Sequence, residues 1–394
     1  MIPIGRRYLA VAAVLVALWG GPAARPASAE EEKEGGAAQK PAAGPTVQLA
    51  LLLDTSNSMD GLINQAKTQL WTIVGEFAET ELAGKTPRLE VALYEYGNDK
   101  LPAAEGHVRL VAPLTDDLDR ISEALFALTT DGGQEYCGKV IRAATRRLTW
   151  STERGDLRCI FIAGNEAFTQ GDVDYRESCR AAANQGITVS TIFCGDRGEG
   201  IQTKWEDGAK LADGSYLTIN QDHRTAAINA PQDKELARLS SELNRTYLPY
   251  GDAESREQFA DRQKAQDANA ARSAVSAAAA RAGFKASGLY RNSGWDLVDA
   301  VADGTVKLES LAAEQLPEVM QPMGPAERRA HIEKLAQERK QLQARMRDLA
   351  AARDAYVAKE HARLAAEAPA AAEAAAAPLA EAVQGAIQGQ MGEK

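Results

Sequence analysis

The stretch Val47-Gln48-Leu49-Ala50-Leu51-Leu52-Leu53-Asp54-Thr55-Ser56-Asn57-Ser58 decides how the chain is read. Its first seven residues are a nearly continuous apolar run, the pattern of a strand buried on both faces of a sheet. Beyond it Leu62, Ala66, Leu70, Ile73, Val74 and Phe77 recur at helical spacing, so the period changes from strand to helix across Asp54–Ser58. Such a turn lies at the carboxyl end of a strand, where doubly wound sheets place ligands. It offers one carboxylate and two hydroxyls, all hard oxygen donors of the kind Mg²⁺ or Ca²⁺ takes. The start of the following helix favours an anionic ligand opposite such a cation.

Working outward, Leu89 to Tyr96 reads as a second strand and Val108 to Val111 as a third. The link between them, around Gly97-Asn98-Asp99-Lys100, is too short for a helical crossover, so this pair is expected to be antiparallel. Then come a helix over Cys137 to Trp150, a strand over Cys159 to Ala163, a helix over Tyr175 to Asn184 and a strand over Ile187 to Cys194. A helix over Gln202 to Ala212 and a strand over Ser215 to Ile219 close the series. Alternating strands and helices imply an α/β fold, a three-layer doubly wound, mostly parallel sheet with one antiparallel edge strand. Right-handed crossovers then give the sheet order 3-2-1-4-5-6, with the Val47 strand central and the Cys159 strand beside it.

Over about residues 46–222 the chain resembles the von Willebrand factor A-like domain with its metal-ion-dependent adhesion site. The resemblance rests on the strand from Val47, the DxSxS motif of Asp54, Ser56 and Ser58, the edge hairpin, the order of elements that follows, and the segment Ala209 to Tyr216 before the final strand. It implies a protein-binding domain in which a divalent cation, completed by an acidic side chain of the partner, makes the contact. Two of its five ligand positions depart from the family pattern. Counting back from Gly138, Glu135 stands where the family has a ligating Thr, and Gly164 falls where it has an Asp. Glu135 can compensate as a direct ligand, and Glu166 can reach in from one bond further. Asn57, Asn165 and Glu166 are candidates for supporting the ligands or touching a partner. A metal site with extra negative charge and a degenerate site without metal both fit this pattern.

Beyond residue 225 the strand signals stop. Residues 223–324 read as a helical extension, with an apolar stripe at Leu236, Leu239 and Leu243 and an aromatic-rich island from Gly283 to Val301 that is expected to dock on something. Residues 325–364 read as one long amphipathic helix with a seam of Ile332, Leu335, Leu342, Met346, Leu349 and Tyr356. Such a seam suits self-association as a coiled coil, but Arg339 and Arg353 interrupt it, so packing within the chain is the competing expectation. Residues 365–394 are Ala- and Glu-rich, and disorder is expected there.

At the amino end, Arg6 and Arg7 precede an apolar run from Tyr8 to Trp19, and Ala27-Ser28-Ala29 supplies small residues at a cleavage site. Residues 1–29 are therefore expected to be a signal peptide and 30–45 a disordered linker, placing the protein in the periplasm or outside the cell with no transmembrane segment after cleavage. The formal charge of −10 becomes −13 once Arg6, Arg7 and Arg25 are removed, and so acidic a chain is no general nucleic-acid binder. In an oxidising compartment the four cysteines are expected to form at least one disulfide. From their places on strand and helix ends, Cys194 is expected to pair with Cys179 or Cys137, leaving Cys159 over.

The four histidines are scattered, and no G-x-S-x-G, H-E-x-x-H or P-loop pattern occurs, so an enzyme is not expected. The favoured function is an exported protein-binding module of adhesion or scaffold type. A metal-free scaffold assembling through the carboxyl-terminal helices is the alternative, and a hydrolase using Glu135 and Glu166 is the least favoured.

Overall fold

The computed structural model describes residues 44–76, 85–220, 228–367, 379–380, 382–383 and 385–386. The expected signal peptide and all but the last two residues of the expected linker lie outside them. The first half of the described chain is β1 (Thr46–Asp54), α1 (Asp60–Glu76), β2 (Arg88–Tyr96), β3 (Val108–Thr115), α2 (Leu118–Ala127), α3 (Cys137–Arg147), β4 (Leu157–Gly164), α4 (Tyr175–Ala183), β5 (Thr188–Cys194), α5 (Arg197–Gln202), α6 (Trp205–Lys210) and β6 (Tyr216–Ile219). The six strands form one sheet in the order β3-β2-β1-β4-β5-β6, as expected. All neighbours are parallel except β2 and β3, and β1 is flanked by β2 and β4 in the centre.

The alternation along each strand splits the core in two. Leu49, Leu51 and Leu53 of β1 face a cluster that includes α1 and α2, while Ala50 and Leu52 face a second cluster with Val140 of α3, Cys179 of α4 and Trp205 of α6. With helices on both faces, β1 is buried along its whole length, which explains its near-continuous apolar sequence. Gln48 is the polar exception. It is buried but hydrogen-bonded, donating to Glu90 at 2.8 Å and accepting from the Ser151 amide at 2.7 Å.

The second half is helical: α7 (Asp233–Asn244), α8 (Ala253–Ser273), α9 (Val275–Lys285), α10 (Leu297–Ala302) and α11 (Pro325–Glu367). It packs on the α1–α2 side of the sheet and shares that core. The aromatic island does dock: Phe284 lies 5.6 Å from Trp71 of α1 between ring centroids, and Tyr290 and Trp295 are buried in the same cluster. The α8 helix, poor in large apolar residues, is held by polar contacts instead. Its buried Gln266 accepts from Ser122 of α2 at 2.9 Å. Asp267 accepts from Arg281 at 2.5 Å and from Lys285 at 3.2 Å.

Several expectations change. No disulfide joins Cys194 to Cys179 or Cys137; all three are buried free thiols. The sheet itself keeps the expected partners apart, since Cys194 faces the α1–α2 core and Cys137 and Cys179 face the other. The single helix expected over Gln202 to Ala212 is two short helices. Lys204 between them adopts a left-handed conformation (φ 77°), which turns Trp205 into the core, where its indole N–H donates to the Glu166 carbonyl at 2.7 Å. Part of the α11 seam is used within the chain. Ile332 and Met346 are buried within the chain, and the two interrupting arginines are the ones that fasten the helix. Arg339 pairs with Asp296 at 2.6 Å, donates to the Thr246 carbonyl at 2.6 Å and covers the Tyr247 ring; Arg353 pairs with Asp233 at 2.8 Å. Finally, the tail expected to be disordered contributes Leu379, Ala380, Ala382, Val383 and Ala386, all buried in the α1–α2 core. Its backbone is anchored there, the Leu379 amide donating to Gln65 of α1 at 3.2 Å and the Ala380 amide to Gln69 at 2.6 Å.

Candidate functional site

Five connections meet at the carboxyl edge of the sheet: residues 54–60, 97–107, 128–136, 164–174 and 195–204. The first leaves β1 at Asp54, whose partner on β2 is Tyr96, itself the last residue of its strand. Backbone hydrogen bonds tie this turn to its neighbours. Thr55 N–H donates to the Tyr96 carbonyl at 2.9 Å, Asn57 N–H to the Gly132 carbonyl at 2.9 Å, and Asp131 N–H to the Thr55 carbonyl at 3.0 Å. The loop carrying Glu135 is thereby held over the DxSxS turn.

Asp54 is fully buried. Its Oδ1 accepts from the Ser56 amide at 2.8 Å, whereas Oδ2 has no hydrogen-bond partner. Burial raises its carboxyl to about 8, against the opposing Ser56 hydrogen bond, and the charges of Glu135 and Glu166 push the same way. Ser56 Oγ lies 3.3 Å from Ser58 Oγ, and Ser58 meets the Asn165 side chain at 3.1 Å. Glu135 is also buried. Its carboxyl is raised, first by desolvation and then by Glu166, while hydrogen bonds from Ser56 and Gln170 oppose the shift. Glu166 stands exposed at the rim, 3.4 Å from the Gln170 amide. Asn57 is exposed and contributes its backbone amide to the loop contact. The structure thus brings Asp54, Ser56, Ser58, Glu135, Asn165 and Glu166 around one spot. Among the described residues no group of three or more His, Cys, Asp or Glu side chains is spaced to hold a metal by itself, so the hydroxyls of the turn would have to complete any cation shell.

Position 164 has a physical explanation. A Cβ there would lie 2.5 Å from the Tyr96 hydroxyl, 3.0 Å from Asp54 Oδ2 and 3.1 Å from the Trp205 ring. Tyr96 fills this space from β2, buried, with its hydroxyl donating to the Ala163 carbonyl at 3.0 Å. Gly133 is constrained similarly. With φ 153° and Glu135 Oε1 only 2.6 Å from where its Cβ would sit, it lets the loop close on the turn.

Sequence reasoning missed Tyr96, Gln170 and Trp205. They belong to a strand, a loop and a helix read for their structure alone, and only the crossing of β2, the 164–174 loop and α6 brings Tyr96 and Trp205 beside Gly164 and Gln170 beside Glu135 and Glu166. The one available signal was Gly164 itself, since a glycine at the end of a buried strand marks a close approach by something else.

A sequence model of the von Willebrand factor type A domain matches residues 48–204. That stretch holds five of the six strands and β6 follows it; the whole sheet, mostly parallel with one antiparallel edge strand and helices on both faces, has the von Willebrand factor A-like fold, and the chain continues into the helical region. No curated protein matches the chain. Among solved structures, the conserved hypothetical protein BatB from Bacteroides thetaiotaomicron is 19% identical, with 44% of this chain and 90% of that one covered and a TM-score of 0.34. An aerotolerance-related membrane protein from Bacteroides fragilis is 17% identical, with 45% and 93% covered and a TM-score of 0.32. Proximal thread matrix protein 1 from the mussel byssus, solved with a zinc-occupied MIDAS motif, is 15% identical, with 46% and 43% covered and a TM-score of 0.36.

Proposed function

We propose that the protein is an exported, non-enzymatic protein-binding module of the cell envelope, which presents a divalent cation at the carboxyl edge of its sheet. Asp54, Ser56, Ser58 and Glu135 would hold the cation, Mg²⁺ or Ca²⁺, with Asn165 and Glu166 beside them. The supporting observation is Asp54 Oδ2, a buried carboxyl oxygen with no hydrogen-bond partner, on the residue that opens the turn carrying Ser56 and Ser58 and whose neighbours in charge are Glu135 and Glu166. A buried carboxyl with an unpartnered oxygen is costly, and a hard cation would supply the missing partner while using the oxygen donors present. Von Willebrand factor type A domains commonly mediate protein–protein interaction, and the site adds no nucleophile–base pair that would favour catalysis. Export rests on the basic, apolar and small-residue succession of residues 1–29.

One observation favours the metal-free scaffold as a second reading: the third loop supplies Gly164, and the hydroxyl of Tyr96 occupies the space of a carboxylate there. Calorimetry on the full chain with Mg²⁺, Ca²⁺ and Mn²⁺ separates the two. Binding that Asp54→Ala abolishes supports the cation site. No heat at millimolar cation, with the protein folded, leaves the scaffold.

A further inference from the structure

We infer that the partner segment received at this edge is basic, a lysine or arginine side chain, and not the acidic side chain that the adhesion-site resemblance implies. The inference rests on the proposal that this edge is the recognition surface. The five connections that form the edge carry eleven acidic side chains and three basic ones, Lys100, Arg197 and Lys204. That excess of eight compares with a net charge of −10 for the whole chain, so the acidity is concentrated on one face. Lys100 is already paired with Asp131 at 3.0 Å, Glu105 with Arg147 at 3.3 Å and Arg109 with Glu95, and Lys139 lies against Gly106.

The second observation is at the centre of that face. Asp54 is fully buried with Oδ2 unpartnered, and Glu135 closes over it from the neighbouring loop with Glu166 at the rim. Together these are three carboxylates. One divalent cation offsets two of their charges, so the centre stays negative even when loaded. An incoming carboxylate would meet repulsion from both the centre and the surrounding face. An ammonium or guanidinium would be drawn in, and exposed Glu166 is placed to receive it. Glu135 adds a carboxylate where the resemblance implies a neutral hydroxyl, Gly164 removes one where it implies an Asp, and the extra negative charge comes from Glu166 and the acidic loops around it.

The test uses the full chain and two fluorescent peptides of equal length, one of alternating Lys and Gly and one of alternating Glu and Gly. Anisotropy is followed with Ca²⁺, with Mg²⁺ and with chelator, over graded salt. The Lys peptide should bind, lose affinity steeply with salt, and bind about tenfold more weakly to a Glu135→Gln/Glu166→Gln variant. A Glu257→Gln/Glu338→Gln variant, altered at exposed helix positions far from the edge in the sequence, should bind as wild type, and melting curves should show both variants folded. Cation-dependent binding of the Glu peptide in preference overturns the basic-partner inference and leaves the recognition surface standing. Lys-peptide binding that both variants share equally overturns it as non-specific attraction. Binding of neither peptide also overturns it, and the cation proposal is then judged by its own calorimetry.

Discussion

Arg281 of α9 donates to Asp119 of α2 at 2.6 Å, across 162 residues of sequence, with both side chains buried. The same guanidinium reaches Asp267 of α8 at 2.5 Å and covers the Trp71 ring, and Tyr290 donates to Asp119 at 2.7 Å. The helical region is therefore fastened to the sheet domain through an ionic knot whose Arg281 and Asp119 are buried. Replacing Arg281 leaves buried Asp119 without a counter-charge and Asp267 with Lys285 alone. Arg281→Met should lower stability by about 3–5 kcal/mol, and a denaturant midpoint within error of wild type would refute the role given to this knot.

Acid should loosen the same knot. Burial alone would raise the Asp267 carboxyl, but Lys285 and Arg281 outweigh it and hold it at about 2. A folded-state value below the unfolded one means the stabilisation is complete above the unfolded value of 3.8 and disappears as pH falls toward 2. Over that window about 2.5 kcal/mol should be lost from this group. Asp267→Asn should be less stable at neutral pH and show a shallower fall below pH 3.8; parallel curves for the two proteins would argue that Asp267 is not the titrating group.

Restoring the family's Asp at position 164 should harm the protein. The Tyr96 hydroxyl and the Trp205 ring leave no room for a side chain, so Gly164→Asp should destabilise by about 1–3 kcal/mol or more. Tyr96→Phe removes the nearest obstructing atom, and the double variant should recover part of the loss. If Gly164→Asp melts at the wild-type temperature, the crowding described at the site is not real.

Thiol chemistry offers a separate check. Burial pushes Cys137 and Cys194 well above the usual thiol range and Cys179 up to about 12. The native protein should resist a thiolate-selective reagent at pH 8, and unfolded protein prepared without reductant should release at least three reactive thiols. Recovery of fewer would mean that a bridge forms after all.

The sheet was legible because β1, β4 and β5 carry patterns set by local physics: continuous apolar runs, helical stripes between them and short links. The DxSxS turn was legible for the same reason, being contiguous in sequence. What stayed hidden was set by long-range geometry. The helix over Leu118–Ala127, capped by Asp117 and burying Leu118, Ile121 and Leu125, was passed over because its ten residues give only a brief stripe. Arg339 and Arg353 looked like flaws in a coiled-coil seam, because no local pattern announces that Asp296 and Asp233 will stand opposite them. Cysteine pairing failed because an argument about ends of strands ignores which face of the sheet a side chain enters.

The anchoring of Leu379 on Gln65, 314 residues apart, sets a constraint on how the protein comes into being. Val383 and Leu379 line the same apolar space as Leu51, Leu53, Ala66 and Phe161, so one wall of the layer around β1 is supplied by residues made long after it. A chain emerging in order, amino end first, leaves this face of β1 and α1 uncovered until Leu379 and Val383 have been made. Contacts of such sequence separation also form slowly, because a long loop has to close before they are rewarded. During that interval this apolar face is open to other segments, so folding competes with aggregation there.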